Sequence, residues 1–274
     1  MGTMVSLSRT DSTASALKAI SLLGTFSIDR LEMGLSELSA LSGMPKATVL
    51  RMMKSLVEGG LVHQDPKTRL YRLGYRCIEL GELAKQSSDL QRTAMEYMRQ
   101  LLATTGETVH LAVLTGNLEA IYIEKVECDQ PLRHWTHLGQ SIPLHAGAAG
   151  KVLGAYLPPA MQEQLCKEGR LERFTDDTIV DCDKLMKHFR EVRERGWVES
   201  CNELYTGVRT IAAPVFGVTG EAIASISVGG PASRFDEEKV SQAVPKLLDC
   251  VWSVSKQLGY STAATGRSQA REYL

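Results

Sequence analysis

The sequence has few aromatic residues and no long apolar run. Aromatic side chains make up 6% of the 274 residues, while hydrophobic residues make up 43%, a composition typical of globular proteins. No apolar run approaches the roughly 18 residues that a membrane-spanning helix needs. Because 274 residues exceed the usual size of a single domain, we expect two domains.

Cysteines are also sparse. No two are spaced as a Cys-x-x-Cys pair, and 6 in 274 residues are too few for a disulfide framework. They stand at positions 77, 128, 166, 182, 201 and 250. We therefore expect reduced thiols and a cytoplasmic protein.

The common catalytic motifs are missing. The chain has no Gly-x-Ser-x-Gly elbow, no Walker phosphate loop and no Gly-x-Gly-x-x-Gly turn. His134 and His137 lie three residues apart in the strand-like "HWTH", so their side chains are expected on opposite faces of the strand. A metal site that these two residues form with His145 and Cys128 is therefore disfavoured, and we interpret the histidines as loop or surface residues. We expect no cofactor, and we expect His145 to support the start of the next helix by hydrogen bonding.

Charge is distributed unevenly along the chain. Residues 1–76 carry ten Lys and Arg against six Asp and Glu, whereas the remaining residues carry 21 against 26. A basic N-terminal segment on an acidic body indicates that this segment alone binds a polyanion.

Periodicity and turn signals predict three helices and a β-hairpin in the N-terminal segment. Ser12 or Thr13 is the expected N-cap of the first helix, whose apolar face would comprise Ala16, Ala19, Ile20, Leu22 and Leu23. An Asp-Pro-Lys-Thr-Arg turn closes the hairpin. The predicted helices are Thr13–Phe26, Leu35–Gly43 and Lys46–Glu58, and the strands are Leu61–Gln64 and Leu70–Leu73.

The third helix has an apolar stripe and a basic polar side. The stripe consists of Val49, Met53, Leu56 and Val57, with Leu50 alongside. For a lone helix, a solvated polar face is the simplest interpretation. Here, however, a short helix, a turn with a proline and a basic helix follow one another, which is the order of a DNA-binding helix-turn-helix. The residues expected to contact DNA are Lys46, Ala47, Thr48, Arg51 and Lys54.

The hairpin adds further cations. Small Ala47 and Thr48 let the helix end approach base edges, while Arg51 has the reach for guanine or phosphate. Helix, turn, basic helix and basic hairpin together predict a winged helix-turn-helix that binds double-stranded DNA. The hairpin residues suited to phosphates beside the groove are Lys67, Arg69 and Arg72.

Beyond Gly74 the pattern changes. A helical stretch follows, with a break expected at Ser87-Ser88-Asp89, and a long helix at Asp236–Leu258 closes the second domain. The expected strands are "ETVHLAVLTG", "LEAIYIEKVE", "PLRHWTH", "TIAAPVFG" and "EAIASISVGG", and further helices are expected in "HAGAAGKVLGAYL", "PPAMQEQLCKEG" and Asp183–Arg195.

Several segments together resemble the IclR family of bacterial transcriptional regulators, over roughly residues 12–258. They are "ALKAISLLGTF", "GLSELSALSGMPKATVLRMMKSLVEGGLVHQDPKTRLYRLG", "IPLHAGAAGKVLGAYL", "VRERGWVES" and "GVRTIAAPVFGVTGEAIASISVGGP". Their number and spacing make the resemblance specific.

The resemblance implies an α+β protein of two domains. We expect a winged helix-turn-helix at 10–74, a linker helix at 75–88, a GAF-like α/β effector-binding and oligomerisation domain at 89–260, and a disordered tail at 261–274. The resemblance also implies homodimers on operator DNA, often paired into tetramers, with a small organic or aromatic acid altering the binding. We expect the first helix and the linker helix to form the dimer interface. Repression is the commoner habit of the family; a ligand-responsive activator and, more remotely, an enzyme with an appended DNA-binding domain are the alternatives.

The resemblance further implies where an effector binds. Carried over by position, the lining comprises Ala148, Ala149, Ser200, Thr210 and Ser227, with Gly229 and Leu144 close by. A carboxylate is expected on the free N–H groups where Gly147-Ala148-Ala149 begins a helix, and the hydroxyls would orient the rest. Members that bind very small keto acids carry an acidic residue and a cysteine where this chain has Ser200 and Thr210, so no effector is carried over.

Overall fold

A computed structural model describes residues 9–116, 118–167 and 171–261, with side chains from residue 14 onward. Within these ranges the chain divides into two compact units, with the division between Ser87 and Ser88. No helix in the described ranges is long and apolar enough to cross a membrane. The tail predicted at 261–274 lies outside the described residues, except for Ser261.

The N-terminal unit contains the predicted winged helix-turn-helix. Gly43 ends the second helix with a left-handed φ of 66°, and Pro45 directly precedes the third, so the two are joined by a tight turn. The elements are α1 (Arg9–Leu23), α2 (Leu35–Ser42), α3 (Lys46–Glu58), β1 (Val62–Gln64), β2 (Tyr71–Leu73) and α4 (Arg76–Gln86). The prediction of three helices followed by a hairpin is confirmed.

The core of this unit is small and apolar. It is built from Leu22, Met33, Leu38, Val49, Met52, Met53, Leu56, Val62 and Tyr71. Two details of the predicted apolar faces are wrong. Val57 is 38% exposed while Met52 is buried, because α1, α2 and β1 pack against the side of α3 that carries Met52. Ile20 of α1 is 62% exposed, and Ala16 is exposed as well.

The first helix starts earlier than predicted, and a glycine closes the base of the hairpin. Because α1 begins at Arg9, the N-cap predicted at Ser12 or Thr13 is wrong. At the base of the hairpin, a Cβ on Gly74 would lie 2.1 Å from the carbonyl oxygen of Gly60, so only glycine fits there. This close approach fixes where the hairpin leaves α3.

The C-terminal unit is a six-stranded antiparallel sheet with helices on both faces. Its strand order is β5-β4-β3-β8-β7-β6. The elements are α5 (Asp89–Thr105), β3 (Thr108–Leu114), β4 (Glu119–Val126), β5 (Ser141–Pro143), α6 (Ala148–Ala155), α7 (Pro159–Leu165), α8 (Cys182–Arg195), β6 (Val198–Cys201), β7 (Val208–Phe216), β8 (Ala222–Pro231) and α9 (Glu237–Gln257). The expectation of a two-domain α+β protein with a GAF-like α/β second domain is confirmed.

The alternation of side chains along β8 separates two cores. Ala224, Ile226 and Val228 face α5 and α9. Ser225, between them, donates a 3.1 Å hydrogen bond to the carbonyl of Ala149 in α6, and therefore points to the opposite face. That face carries a second core, in which α6 packs on the sheet and α8 packs on α6. Small hydroxyl residues of β8 thus face α6.

Two expectations for this unit are wrong. The segment "PLRHWTH" is a loop, which rejoins the sheet only at Gly139 and Gln140, whose backbones bond to Tyr122. Cys166 and Cys182 form a disulfide, although we expected reduced thiols. The fold places the end of α7 beside the start of α8, with the two Cα atoms 5.6 Å apart, a proximity that a spacing of 16 residues does not reveal.

Candidate functional site

The exposed side of α3 carries the residues predicted to contact DNA. Ala47, Arg51 and Lys54 recur at helical spacing opposite the buried stripe and are exposed, as is Lys46. Thr48 is half-buried at the edge of this face. Among the ion pairs of the described residues, none involves these three cations, so their charges face outward.

The hairpin turn presents two further cations. The carboxylate of Asp65 accepts hydrogen bonds from the backbone N–H groups of Thr68, at 2.8 Å, and Lys67, at 2.7 Å, which lower the pKa of Asp65. Lys67 and Arg69 are exposed, and Arg69 holds a left-handed φ of 61°. Arg72 is less accessible than these two residues: it is half-buried, and its guanidinium lies 5.8 Å from the centre of the Tyr75 ring.

A cleft opens on the α6 face of the six-stranded sheet. The space between its walls, counted out to the open mouth, is about 320 Å³. No Asp, Glu, Lys or Arg is among the described residues that line it. The lining consists of Tyr122, His134, Gly147, Ala148, Ala149, Ser200, Leu204, Tyr205, Val208, Thr210 and Ser227.

Strand register brings the hydroxyl residues of the cleft together. Ser200 pairs with Thr210 across β6 and β7, and Thr210 pairs with Gly229 across β7 and β8. A Cβ on Gly229 would lie 2.5 Å from Cγ2 of Thr210, so the glycine makes room for this threonine. The cleft is lined by five of the predicted residues: Ala148, Ala149, Ser200, Thr210 and Ser227. Gly229 is not in the lining and lies next to two residues that are, Thr210 and His134.

The start of α6 forms one end of the cleft. Gly147, with φ of 74°, precedes the helix without a side-chain cap, and the N–H of Ala148 has only a long 3.4 Å contact to the Thr210 hydroxyl. A Cβ on Gly150 would lie 1.9 Å from the carbonyl oxygen of Pro143, which confirms that glycine here permits close packing. Leu144 does not line the cleft, because it is fully buried in the core beneath α6.

Sequence reasoning missed the aromatic wall of the cleft. His134 and Tyr205 pack with their ring centres 5.8 Å apart, and His134 lies 5.5 Å from His110, which in turn lies 4.8 Å from Tyr122. His110 pairs with Ser227 across β3 and β8, which places it on the α6 face. Strand register places His110 on this face, whereas His134 and Tyr205 lie in loops that are brought together by tertiary contacts, which no signal in the sequence reveals.

The histidines of this wall differ in their hydrogen bonds. His110 Nε2 bonds to the Thr136 hydroxyl at 2.8 Å, and burial holds the pKa of His110 well below its ordinary value. Neither ring nitrogen of His134 has a hydrogen-bond partner among the described residues, and burial lowers the pKa of His134 to about 4. His134 is therefore a neutral, buried ring in a loop, where we predicted a loop or surface histidine.

The loop that carries Leu204 and Tyr205 is anchored on three sides. The hydroxyl of Thr175 donates to the carbonyl of Asn202, and that of Thr178 to the carbonyl of Glu203, both at 2.7 Å. The Glu203 carboxylate pairs with Lys151 of α6. On the third side, Gln140 Nε2 donates to the Tyr205 hydroxyl at 2.9 Å.

Two further predictions concern His145 and a metal site. The ring of His145 bonds to the carbonyl of Glu172 at 2.8 Å and stacks on Phe174, so it holds a neighbouring loop. The prediction that His145 supports the start of α6 by hydrogen bonding is therefore wrong. Across the part of the chain that the structure describes, no group of three or more His, Cys, Asp or Glu side chains is arranged to hold a metal ion.

Comparison with known proteins gives consistent matches. A family model described as bacterial transcriptional regulator IclR C-terminal matches residues 83–256, and one described as IclR helix-turn-helix domain matches residues 15–66. The chain is 35% identical to the HTH-type transcriptional regulator KdgR of Escherichia coli K12, over 91% of this chain and 94% of that protein. It is 32% identical to the HTH-type transcriptional repressor AllR of Escherichia coli K12, over 82% of each. A crystal structure of an IclR transcriptional regulator from Alicyclobacillus acidocaldarius superposes with a TM-score of 0.78 at 29% identity, over 91% of this chain and 99% of that chain.

Proposed function

The chain belongs to the IclR family of bacterial transcriptional regulators, and we propose that it is a repressor whose operator binding is modulated by a small organic or aromatic acid. Its relatives are named as regulators, so the chain is a DNA-binding transcriptional regulator and not an enzyme. The similarity to AllR, which is named a repressor, supports the proposed direction of control.

The observation that carries the DNA-binding proposal is the exposed basic face of α3, whose cations form no ion pair with other described residues. A helix that follows a tight turn can enter the major groove with its N-terminal end. Small Ala47 permits a close approach to base edges, Thr48 lies beside it, and Arg51 reaches a guanine edge or a phosphate. Lys46 and Lys54, at the two ends of this face, are suited to the phosphates on either side.

The hairpin supports the same proposal. Lys67 and Arg69 project from an exposed turn that Asp65 holds in shape through two backbone hydrogen bonds. Such a turn can lie along the DNA backbone beside the groove that α3 occupies. Arg72 is half-buried against Tyr75, so we assign it a weaker phosphate contact than the other two.

The cleft of the C-terminal unit is the proposed effector site. The N–H groups at the start of α6 carry no side-chain cap, and the helix dipole adds partial positive charge there, so this end of the cleft suits a carboxylate. The hydroxyls of Ser200, Thr210 and Ser227 lie on three adjacent strands and are suited to hydrogen bonds with the rest of the acid.

We also propose that the chain acts as a homodimer, with residues 10–74 as the DNA-binding domain, 75–88 as the linker and 89–260 as the effector domain. Helix α4 has no buried residue, and Tyr75, Ile78 and Leu83 are 76%, 63% and 55% exposed. On α1, Leu17 is 63% exposed. Apolar side chains exposed on two helices suit contact with a second copy, which would bring two half-sites into register.

A pooled genomic-fragment selection tests the proposal. Tagged full-length protein would be mixed with sheared genomic DNA and excess random competitor, and retained fragments would be sequenced. We expect enrichment of a few intergenic fragments that share a two-fold symmetric motif. Retention with no enriched motif would contradict the regulator proposal.

Acids added to the selected fragment then test modulation. A change in the midpoint of DNA binding in wild-type protein, blunted in Ser200→Ala and Thr210→Val, is the expected result. Transcription from the same promoter in a reconstituted assay gives the direction of control: inhibition supports the repressor, and stimulation indicates an activator. A response equal in all three proteins would place the effector outside the cleft.

A further inference from the structure

His134 differs from the other polar side chains of the cleft because both of its polar atoms are buried without a hydrogen-bond partner among the described residues. It is only 7% exposed, it lines the cleft, and neither Nδ1 nor Nε2 has a hydrogen-bond partner among the described residues. Its polar neighbours do have partners: His110 bonds to Thr136, and the Tyr205 hydroxyl accepts from Gln140. Both nitrogens of the His134 ring are therefore available to a polar group in the cleft.

The ring is held in place by its neighbours. It packs against His110 at 5.5 Å and Tyr205 at 5.8 Å between ring centres, and its Nδ1 lies 3.4 Å from the position that a Cβ on Gly229 would take. A buried donor or acceptor without a partner is destabilising. Buried polar groups in native proteins nearly always have a partner, from the protein or from ordered water, so a polar group of a molecule bound in the cleft can take that place.

The charge of the cleft limits what that ligand is. No charged side chain is among its described lining residues, and the start of α6 supplies partial positive charge for one carboxylate. A second carboxylate or a phosphate group would be buried without a counter-charge, which is strongly unfavourable. A singly charged acid is therefore favoured.

The protonation state of His134 narrows the chemistry further. Since its pKa is about 4, the ring is uncharged at neutral pH and offers one donor and one acceptor. A hydroxyl group both donates and accepts, so it can bond to whichever nitrogen faces it. A methyl or a bare aromatic edge in the same place would leave the ring unpaired.

We propose that His134 determines the specificity of the cleft by hydrogen bonding a hydroxyl group of a monocarboxylic acid. The carboxylate of that acid lies at the start of α6, and its hydroxyl group lies at the aromatic wall. This inference rests on the proposed effector function and deepens it: hydroxylated monocarboxylic acids bind, and their deoxy, dicarboxylic and phosphorylated analogues do not.

Titration calorimetry on the full-length protein tests this with matched probe acids. One series is 4-hydroxybenzoate, benzoate and terephthalate; a second is gluconate, hexanoate and glucarate; a third is lactate, propionate and malonate. In any series that binds, we expect the hydroxylated monocarboxylate to bind about tenfold or more tightly than the deoxy acid. The dicarboxylate should bind at least as weakly as the deoxy acid.

Three variants assign the preference to the ring. His134→Phe keeps a ring of similar size and should reduce the hydroxyl preference to about onefold, while His134→Gln, which keeps a donor and an acceptor, should retain part of it. His137→Phe, a half-exposed position in the same loop that does not line the cleft, is the matched control and should behave as wild type. Thermal unfolding of each variant checks that it is folded.

The outcomes separate this inference from the proposed function. Acids that bind and alter operator affinity without a hydroxyl preference, or with one unchanged in His134→Phe, would overturn the role of His134 and leave effector control intact. No binding by any of the nine acids would overturn both the role of His134 and the acid-effector proposal, while DNA binding would stand on its own assay.

Discussion

Lys151 and Glu203 form a buried ion pair that ties α6 to the loop carrying Leu204 and Tyr205 of the cleft. The Lys151 side chain is fully buried, and its Nζ also donates to the carbonyl of Glu199 at 3.2 Å. Burial lowers the pKa of Lys151, and the charge of Glu203 opposes that shift. The pair therefore holds one wall of the cleft against the helix that begins it.

Breaking this pair from one side should be costly. Glu203→Gln leaves the Lys151 ammonium buried without its counter-charge, so we expect the free energy of unfolding to fall by about 3–5 kcal/mol in urea titrations. The exposed Glu163→Gln on α7 is the control and should change it by less than about 0.5 kcal/mol. The double variant Lys151→Met/Glu203→Leu should recover most of the loss. Wild-type stability in Glu203→Gln would show that the pair is not structural.

Arg51 should read sequence. If the Arg51 side chain contacts a base edge, the Arg51→Ala protein will bind the selected operator more weakly by about 1–3 kcal/mol. Its affinity for random DNA will be almost unchanged. Thr48→Ala should act in the same direction. Fluorescence anisotropy with operator and random duplexes of equal length measures both affinities. Equal losses on the two duplexes would make Arg51 a phosphate contact instead.

Lys67 should act on all DNA alike. Because Lys67 is proposed to contact phosphate from the exposed turn, Lys67→Ala should lower the affinities for operator and random DNA by the same factor. The slope of log affinity against log salt should become shallower by about 1. The control is Lys256→Ala, at the end of α9 in the other unit. An unchanged salt slope in Lys67→Ala would remove the hairpin from the interface.

Stability should fall on mild acidification because of His134. Its pKa is about 4 in the folded protein and 6.5 in the unfolded chain, so the unfolded state binds more protons between those values and stability decreases as pH falls through this window. Between pH 7 and 5.5 we expect wild type to lose about 1 kcal/mol more than His134→Gln. The exposed His63→Gln should lose as much as wild type. Parallel curves for wild type and His134→Gln would contradict the low pKa.

Reduction of the Cys166–Cys182 disulfide should destabilise the C-terminal unit. The bond closes a loop of 16 residues, for which the chain-entropy model gives a contribution of about 3 kcal/mol. We expect dithiothreitol to lower the urea midpoint of wild type but not that of Cys166→Ser/Cys182→Ser. Intact mass after alkylation counts the thiols in each sample. A midpoint insensitive to reductant, with the bond shown to be reduced, would contradict this expectation.

Local features of the fold were predictable because they depend on neighbours along the chain. The turn at Gly43 and Pro45 and the two-sided character of α3 follow from residue type and helical spacing. The exchange of Val57 for Met52 in the core was not predictable, because only the packing of α1 and β1 selects among adjacent apolar residues. The same holds for "PLRHWTH", whose alternation resembles a strand although its backbone makes no ladder.

The cleft was predictable only in part. The family resemblance placed Ser200, Thr210 and Ser227 near one another, and the strand register agrees. The resemblance did not include His134 or Tyr205, because each lies in a loop whose course depends on tertiary contacts such as that between Gln140 and Tyr205. The ring contact between His134 and Tyr205 joins residues 71 positions apart in sequence.

The ratio of the affinities for specific and random DNA tests most directly whether this chain is a sequence-specific DNA-binding regulator. Full-length protein would be titrated by gel shift against the intergenic DNA beside its own gene, or the selected fragment, and against random DNA of equal length at about 0.15 M salt. We expect the specific DNA to bind at least about 10³-fold more tightly. Equal affinities for both duplexes would contradict it.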